Sequence, residues 1–291
     1  GGRNSIFVPM YGAPYVRDLD NVRRYGTLEP VWLQADKLTA ADTKRLAYGF
    51  LTLEQQKAEL DQLTRMNQNY VESHPGISEL NARITSYELA FRMQGCAPEA
   101  IDIDSESDET KRLYGLDNKV SEPFGRQCLM ARRLVERGAG FVAVNTAFVW
   151  DNHSDVNNAP MKEAMPWLAP VLDKALSALL DDLESRGMSE KVLVVVCGEM
   201  GRTPRVNAKG GRDHWGNLGP MLLSGGPVKA GGIMGTSARD GGTPSSDPIT
   251  ISRLLGTVFG HLWDIPKLRL RADLGRDLAR VTGYEPIPGL G

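Results

Sequence analysis

Hydrophobic residues recur every three or four positions through much of the first half of the chain, which predicts helices there. This spacing covers residues 53–70 and 77–91, and a His-Pro-Gly break at 74–76 joins the two as an antiparallel hairpin. A third helix is predicted over residues 123–137. Residues 1 to about 50 carry turn signals and little periodicity, so we expect them to be largely irregular.

The hydrophobic pattern changes in the second half. Strand patterns at 141–148 and 192–197 flank a long helical pattern at 160–186, and this order predicts a βαβ unit with two parallel strands. The run 192–197 is apolar at every position, as expected for a strand whose two faces are both covered. Shorter elements are predicted beyond it: strands at 220–224 and 231–235, and a helix that opens at Asp247-Pro248.

Together these patterns give an α/β protein with a mostly helical N-terminal half. We divide it into residues 1–138, an irregular segment and helices that pack on the sheet, and residues 139–291, the α/β part. The composition is that of an ordinary globular protein, with 24% charged and 41% hydrophobic residues. A net charge of -2 provides no basic surface for nucleic acid. The longest apolar run is too short to cross a bilayer, and the three cysteines lack metal-site spacing.

Two of the four histidines lie beside carboxylates in polar loops. Asp151 and His153 follow the strand pattern at 141–148, and residues two apart in an extended segment point the same way. Both side chains could reach one ion; alternatively, the segment is a turn in which Asp151 caps the start of a helix and His153 is simply exposed. Further along the chain, Asp213 precedes His214 between glycines. Asp213 could support a metal-bound imidazole, or the segment could be a surface loop with a histidine in solvent.

The buried strand pattern at 192–197 leads into a polar turn that contains Glu199 and Arg202. Glu199 emerges at the carboxyl edge of the sheet, where open α/β sheets bind their ligands. Arg202 could grip a tetrahedral oxyanion with two donors, although the two residues could also form a surface ion pair. Since each candidate follows a strand, we predict that Glu199 meets the loops of His153 and His214 at one sheet edge.

Several motifs together resemble the bacterial domain-of-unknown-function 1501 family. They are Trp150-Asp151-Asn152-His153, Glu199-Met200-Gly201-Arg202-Thr203-Pro204 and Gly211-Arg212-Asp213-His214-Trp215, with further similarity at 87–94 and 124–136. The resemblance covers most of the chain. The family is grouped with sulfatases and phosphomutases in the alkaline-phosphatase-like superfamily. The resemblance therefore implies a mixed, mostly parallel sheet flanked by helices.

The resemblance also implies a site that binds a divalent metal ion, which would be zinc, manganese or calcium. The implied ligands of one ion are Asp151, His153 and His214. Glu199 would bind a second ion and, with Arg202, take part in catalysis, while Asp213 would support His214 from outside the ligand set.

Two functions follow as expectations. One is a metal-dependent hydrolase of phosphate or sulfate esters, with a small-molecule or glycan ester as substrate. The other is a non-catalytic binding or assembly protein of the cell envelope, favoured because Glu199-Met200-Gly201 stands where the superfamily has Asp-His-Gly. The resemblance suggests a periplasmic or exported location. Family members begin with a segment that carries the first strand and the nucleophile. We therefore expect this chain to be a fragment with an open, apolar sheet edge.

Overall fold

The computed structural model describes the backbone of residues 4–9, separate helical positions between residues 57 and 68, and residues 99–290 apart from 146–149, 157, 230 and 273. The chain forms two compact units, one of residues 1–29 and 107–291 and one of residues 30–106. The boundary at residue 138 expected from the sequence stays a prediction. The predicted helical hairpin at 53–91 lies largely outside the described residues.

The first unit contains six described strands, β1 (Asn4–Pro9), β2 (Phe141–Ala143), β3 (Val192–Cys197), β4 (Gly201–Arg202), β5 (His214–Trp215) and β6 (Met221–Ser224). Four of them form a mixed sheet in the spatial order β2-β1-β3-β6. Strand β1 pairs in parallel with both β2 and β3, and β6 pairs antiparallel with β3. The two short strands β4 and β5 form a separate antiparallel pair.

Helices cover this sheet, so the predicted α/β class is confirmed. The two longest helices match the helical patterns at 123–137 and 160–186, and none of the described helices combines the length and apolarity needed to cross a membrane. The helices are α1 (Asp108–Leu113), α2 (Glu122–Glu136), α3 (Met161–Ser185), α4 (Ile251–Leu262), α5 (Ile265–Arg269) and α6 (Arg276–Thr282).

The core is built around β3, which is buried at every position. Alternate residues of the strand, Leu193 and Val195, pack with Leu254 and Val258 of α4 because successive side chains of a strand point to opposite faces. The apolar side chain at each position explains why both faces of β3 can be covered. The polar turn that follows β3 leads into β4 and β5, which carry part of the candidate site.

Three sequence predictions need correction. Residues 4–9 were expected to be irregular, yet they form the central strand β1, which lies between the two strands of the predicted βαβ unit. Residues 231–235 form no strand. The helix predicted to open at Asp247-Pro248 is α4, and it begins after Thr250, whose side chain accepts a hydrogen bond from the Arg253 amide. Asp247 instead binds the guanidinium of Arg253. The predicted uncovered sheet edge stays a prediction.

Helices α2 and α3 are joined by a buried group of charged side chains. The Arg132 side chain is 1% exposed; its Nε lies 2.9 Å from Asp182 Oδ2, and its NH1 donates to Glu136 at 2.8 Å. Tyr114 also donates its hydroxyl to Asp182, and Arg186 binds both Asp182 and Glu136. Burial, together with the neighbouring Asp182 carboxylate, raises the pKa of Tyr114, so the hydroxyl remains a donor. The carboxylate of Asp182 therefore connects both helices and the segment after α1.

Candidate metal centre

The candidate site is assembled from two loops and the β4–β5 pair. One loop follows β2, and the other joins β4 to β5. Asp151 and His153 lie in the loop that follows β2, while Arg202 ends β4 and His214 begins β5. Arg202 and His214 are direct partners in the antiparallel register, so their side chains extend from the same side of the ribbon. The short ribbon thus places a cation and an imidazole beside the loop of Asp151.

Backbone contacts hold the two loops together. The amide of Arg212 donates to the carbonyl of Asn152 at 3.0 Å, and Asn207 Nδ2 donates to the carbonyl of His153 at 2.9 Å. The loops cross closely at Gly211, where an added Cβ would lie 2.4 Å from the carbonyl carbon of His153. Glycine is therefore required there by space.

One carboxylate oxygen is the centre of the cluster. Asp151 Oδ1 lies 2.6 Å from His153 Nδ1 and 3.1 Å from His214 Nε2, and it also accepts from Arg202 NH1. The two imidazole rings meet edge-on with centroids 5.0 Å apart. Ligand atoms of Asp151, His153 and His214 all lie within 4.8 Å of one another. The three residues are thus close enough to bind one ion.

The charges in the cluster reinforce one another. Burial alone would raise the pKa of Asp151, but hydrogen bonds with His153 and Arg202 outweigh it and lower that pKa. The hydrogen bond with Asp151 is the main cause that raises the pKa of His153. Asp151 is consequently an ionised carboxylate, which is the form that binds a cation.

A second carboxylate, which the sequence analysis did not single out, supports His153. Asp155 Oδ2 lies 2.9 Å from His153 Nε2, so the two ring nitrogens of His153 face two different carboxylates. Between them, Ser154 has a φ of 64°, an uncommon value for a residue other than glycine. The spacing Asp-x-His-x-Asp was a signal available in the sequence, since all three residues lie in one short loop.

Two other candidates lie apart from the cluster. Asp213, predicted to support His214, instead accepts a hydrogen bond from Asn207 Nδ2 at 2.9 Å. Glu199 is exposed and is not among the three residues whose ligand atoms come together; it lies in the wall of an adjacent cavity. The structure therefore brings together Asp151, His153 and His214 with Arg202.

The donor set suits a borderline divalent ion. Two imidazole nitrogens and one carboxylate form the three-ligand set that catalytic zinc sites use, with a position left for water or substrate. A carboxylate on the far nitrogen of a ligating histidine, as Asp155 is to His153, is the usual support of such a site. The residues present therefore fit the metal that the family resemblance implies.

Gly211→Ala is expected to disrupt this site while a neighbouring substitution does not. The new Cβ would meet backbone atoms of His153, so one loop must move, which typically destabilises a protein by about 1–3 kcal/mol. Gly216→Ala is the control, because no atom lies within 4 Å of its added Cβ. The thermal unfolding temperature and the metal content should both fall for Gly211→Ala and stay unchanged for Gly216→Ala. Equal values for the two variants would contradict the crossing of the loops.

The fold and the cluster define an α/β protein with a candidate metal centre in its polar loops. Over residues 33–286 the chain matches the family described as "Protein of unknown function (DUF1501)", and it belongs to that family. No curated protein and no solved structure matches the chain.

Proposed function

We propose that this protein is a metal-dependent hydrolase of phosphate or sulfate esters, with an alkaline-phosphatase-like arrangement of its mostly parallel sheet. The observation that carries the proposal is the meeting of His153, His214 and Arg202 at one oxygen of Asp151. A metal-binding set and a guanidinium thus adjoin each other. Ester hydrolysis at an oxyanion needs both kinds of group, one at the reacting oxygen and one on the transferred group.

The ligand atoms of the proposed centre follow from the contacts. His153 would bind through Nδ1 and His214 through Nε2, since these are the nitrogens that face Asp151. When bound, the metal ion would supply a Lewis acid that polarises the ester oxygen. Asp155 would keep the ring of His153 in place by accepting from Nε2.

Arg202 would hold the oxyanion of the substrate. Its NH1 shares Asp151 Oδ1 with both imidazoles, so a bound cation and the guanidinium would compete for that oxygen. Binding of the ion would therefore release Arg202 toward an anionic ligand. A planar guanidinium can then grip two oxygens of a phosphate or sulfate group.

A specific observation also favours the alternative, a non-catalytic binding or assembly protein of the cell envelope. The charged groups of the cluster are already paired with one another: Asp151 binds Arg202, and His153 lies between Asp151 and Asp155. Such a network would stabilise the loops without any chemistry. The exported or periplasmic location expected from the resemblance is compatible with both functions.

Hydrolysis of aryl esters tests the proposal. We expect the protein, purified after growth with zinc or manganese, to hydrolyse an aryl phosphate or an aryl sulfate. Arg202→Gln should lower kcat/KM by about a hundredfold, the usual loss when one charge-stabilising donor is removed. Arg205→Gln, an exposed arginine three residues away, is the matched control. No turnover with either ester class by metal-containing protein would favour the non-catalytic function.

A further inference from the structure

A cavity of about 1020 Å³ borders the candidate metal centre. Its lining includes Trp150 and Asn152, which flank Asp151 in the chain, and Arg202, whose guanidinium binds Asp151. A ligand in this cavity would therefore be in contact with the residues beside the cluster. The chemistry of the remaining lining indicates what that ligand is.

Much of the lining is apolar and adaptable. Methionine is over-represented: among the described residues, five of the chain's ten methionines line the cavity, namely Met161, Met165, Met200, Met221 and Met234. Met165, Met200 and Met234 are each more than a third exposed, so their thioether chains are available to a ligand. Methionine side chains are flexible and polarisable, and they suit apolar ligands of varied shape.

The same cavity holds hydrogen-bond donors that need an acceptor. Trp150 Nε1 and Arg212 Nε are buried, and neither has a partner within the described part of the chain. A buried donor without an acceptor is costly, so an acceptor oxygen, from a ligand or from a water molecule, would stabilise these atoms. Two arginines, Arg202 and Arg212, lie in this part of the lining, and Arg202 is paired with Asp151. The acidic lining residues are Glu199 and Asp247, and Asp247 is paired with Arg253.

We propose that the cavity binds the apolar part of an amphiphilic ester, while Arg202 and Arg212 hold its anionic group. The substrate class is then a phosphate or sulfate monoester of an apolar alcohol, with an alkyl or aryl group seated among the methionines. This inference rests on the proposed function for the reaction. The binding of the apolar group is a separate property and can be measured without turnover.

The length of the ligand's alkyl chain provides the test. Titration calorimetry with the full chain would compare methyl, butyl and octyl sulfate, all below micelle-forming concentrations, with octyl phosphate and octanol as further arms. Burial of each methylene strengthens binding about fourfold, so we expect roughly fifteenfold tighter binding for every two methylenes added, with one site per chain. Octanol should bind much more weakly than octyl sulfate, because it lacks the anionic group. Preference between octyl sulfate and octyl phosphate identifies the head group.

Paired variants separate the two parts of the site. Met200→Gln with Met234→Gln should flatten the dependence on chain length, whereas Met200→Leu with Met234→Leu should keep it. Arg212→Gln should lower the affinity for all anionic ligands by a similar factor. The dependence of affinity on alkyl-chain length should stay the same.

The outcomes distinguish this inference from the proposed function. Equal affinities for methyl sulfate and octyl sulfate, or binding that does not saturate, would overturn the apolar site. This holds even if the protein hydrolyses aryl esters. Equal binding of octanol and octyl sulfate would overturn the role of the two arginines. Saturable, chain-length-dependent binding by a protein with no metal and no turnover would support the cavity and refute the hydrolase.

Discussion

His214→Ala is expected to remove most of the zinc or manganese from the purified protein. The variant leaves one imidazole and one carboxylate, which is fewer than the three protein ligands of a catalytic zinc site. His214 is half exposed on a two-residue strand, so its truncation disturbs little packing. We expect metal affinity to fall by more than about a hundredfold, since loss of an outer supporting residue alone costs about ten- to a hundredfold. Elemental analysis after dialysis measures this directly.

His74→Ala is the control for that experiment, because the sequence His74-Pro75-Gly76 predicts a helix-breaking turn at this histidine. Its metal content should equal that of the unmodified protein. Equal metal in both variants would contradict the assignment of His214 as a ligand. A parent protein without metal after growth in supplemented medium would favour the non-catalytic function.

A second pair of variants tests which carboxylate supports the histidines of the metal centre. Asp155→Asn should weaken metal binding by about ten- to a hundredfold, because Asp155 faces the outer nitrogen of His153. Asp213→Asn should have little effect, since the carboxylate of Asp213 binds Asn207 rather than an imidazole. Competition with a chromogenic chelator gives both affinities. The reverse order would restore the role that the sequence analysis gave to Asp213.

The sequence predicted the parts of the fold that depend on local pattern. The continuous apolar run of β3 and the long amphipathic stripe of α3 each identify their element without reference to the rest of the chain. Strand β1 could not be recognised in this way. It has three consecutive apolar residues before Pro9, and its partners at Phe141–Ala143 and Val192–Cys197 lie more than a hundred residues away.

The candidate site was predictable in part for a similar reason. Asp151 and His153 are close in the chain, and the motif around His214 carried the family resemblance, so the three candidate ligands could be named. The contact of Asp155 with His153 lies within one short loop, but the position of His214 beside Asp151 depends on how the loops cross at Gly211, and no spacing encodes that crossing. Asn207 was missed for the same reason, because it contacts His153 from 54 residues away.

Asp182→Ala is expected to be the most destabilising of the substitutions considered. It removes the carboxylate 2.9 Å from Arg132 Nε and the acceptor of the Tyr114 hydroxyl. Arg132 is 1% exposed, so after the substitution its Nε loses this carboxylate without gaining water, while its NH1 still binds Glu136. Breaking a buried ion pair by removal of one partner typically costs about 3–5 kcal/mol, a large share of the roughly 5–15 kcal/mol that stabilises a native protein.

Asp181→Ala is the matched control, since Asp181 is the preceding residue of the same helix and is exposed. Urea unfolding followed by circular dichroism should show a change within about 0.5 kcal/mol for Asp181→Ala, as is usual at surface positions. If Asp182→Ala does not fold, Asp182→Asn retains an oxygen that can accept from Tyr114 and should lie between the other two. Equal unfolding midpoints for the Asp181 and Asp182 variants would contradict a structural role for the buried carboxylate. The two helices would then be held together by their apolar contacts alone.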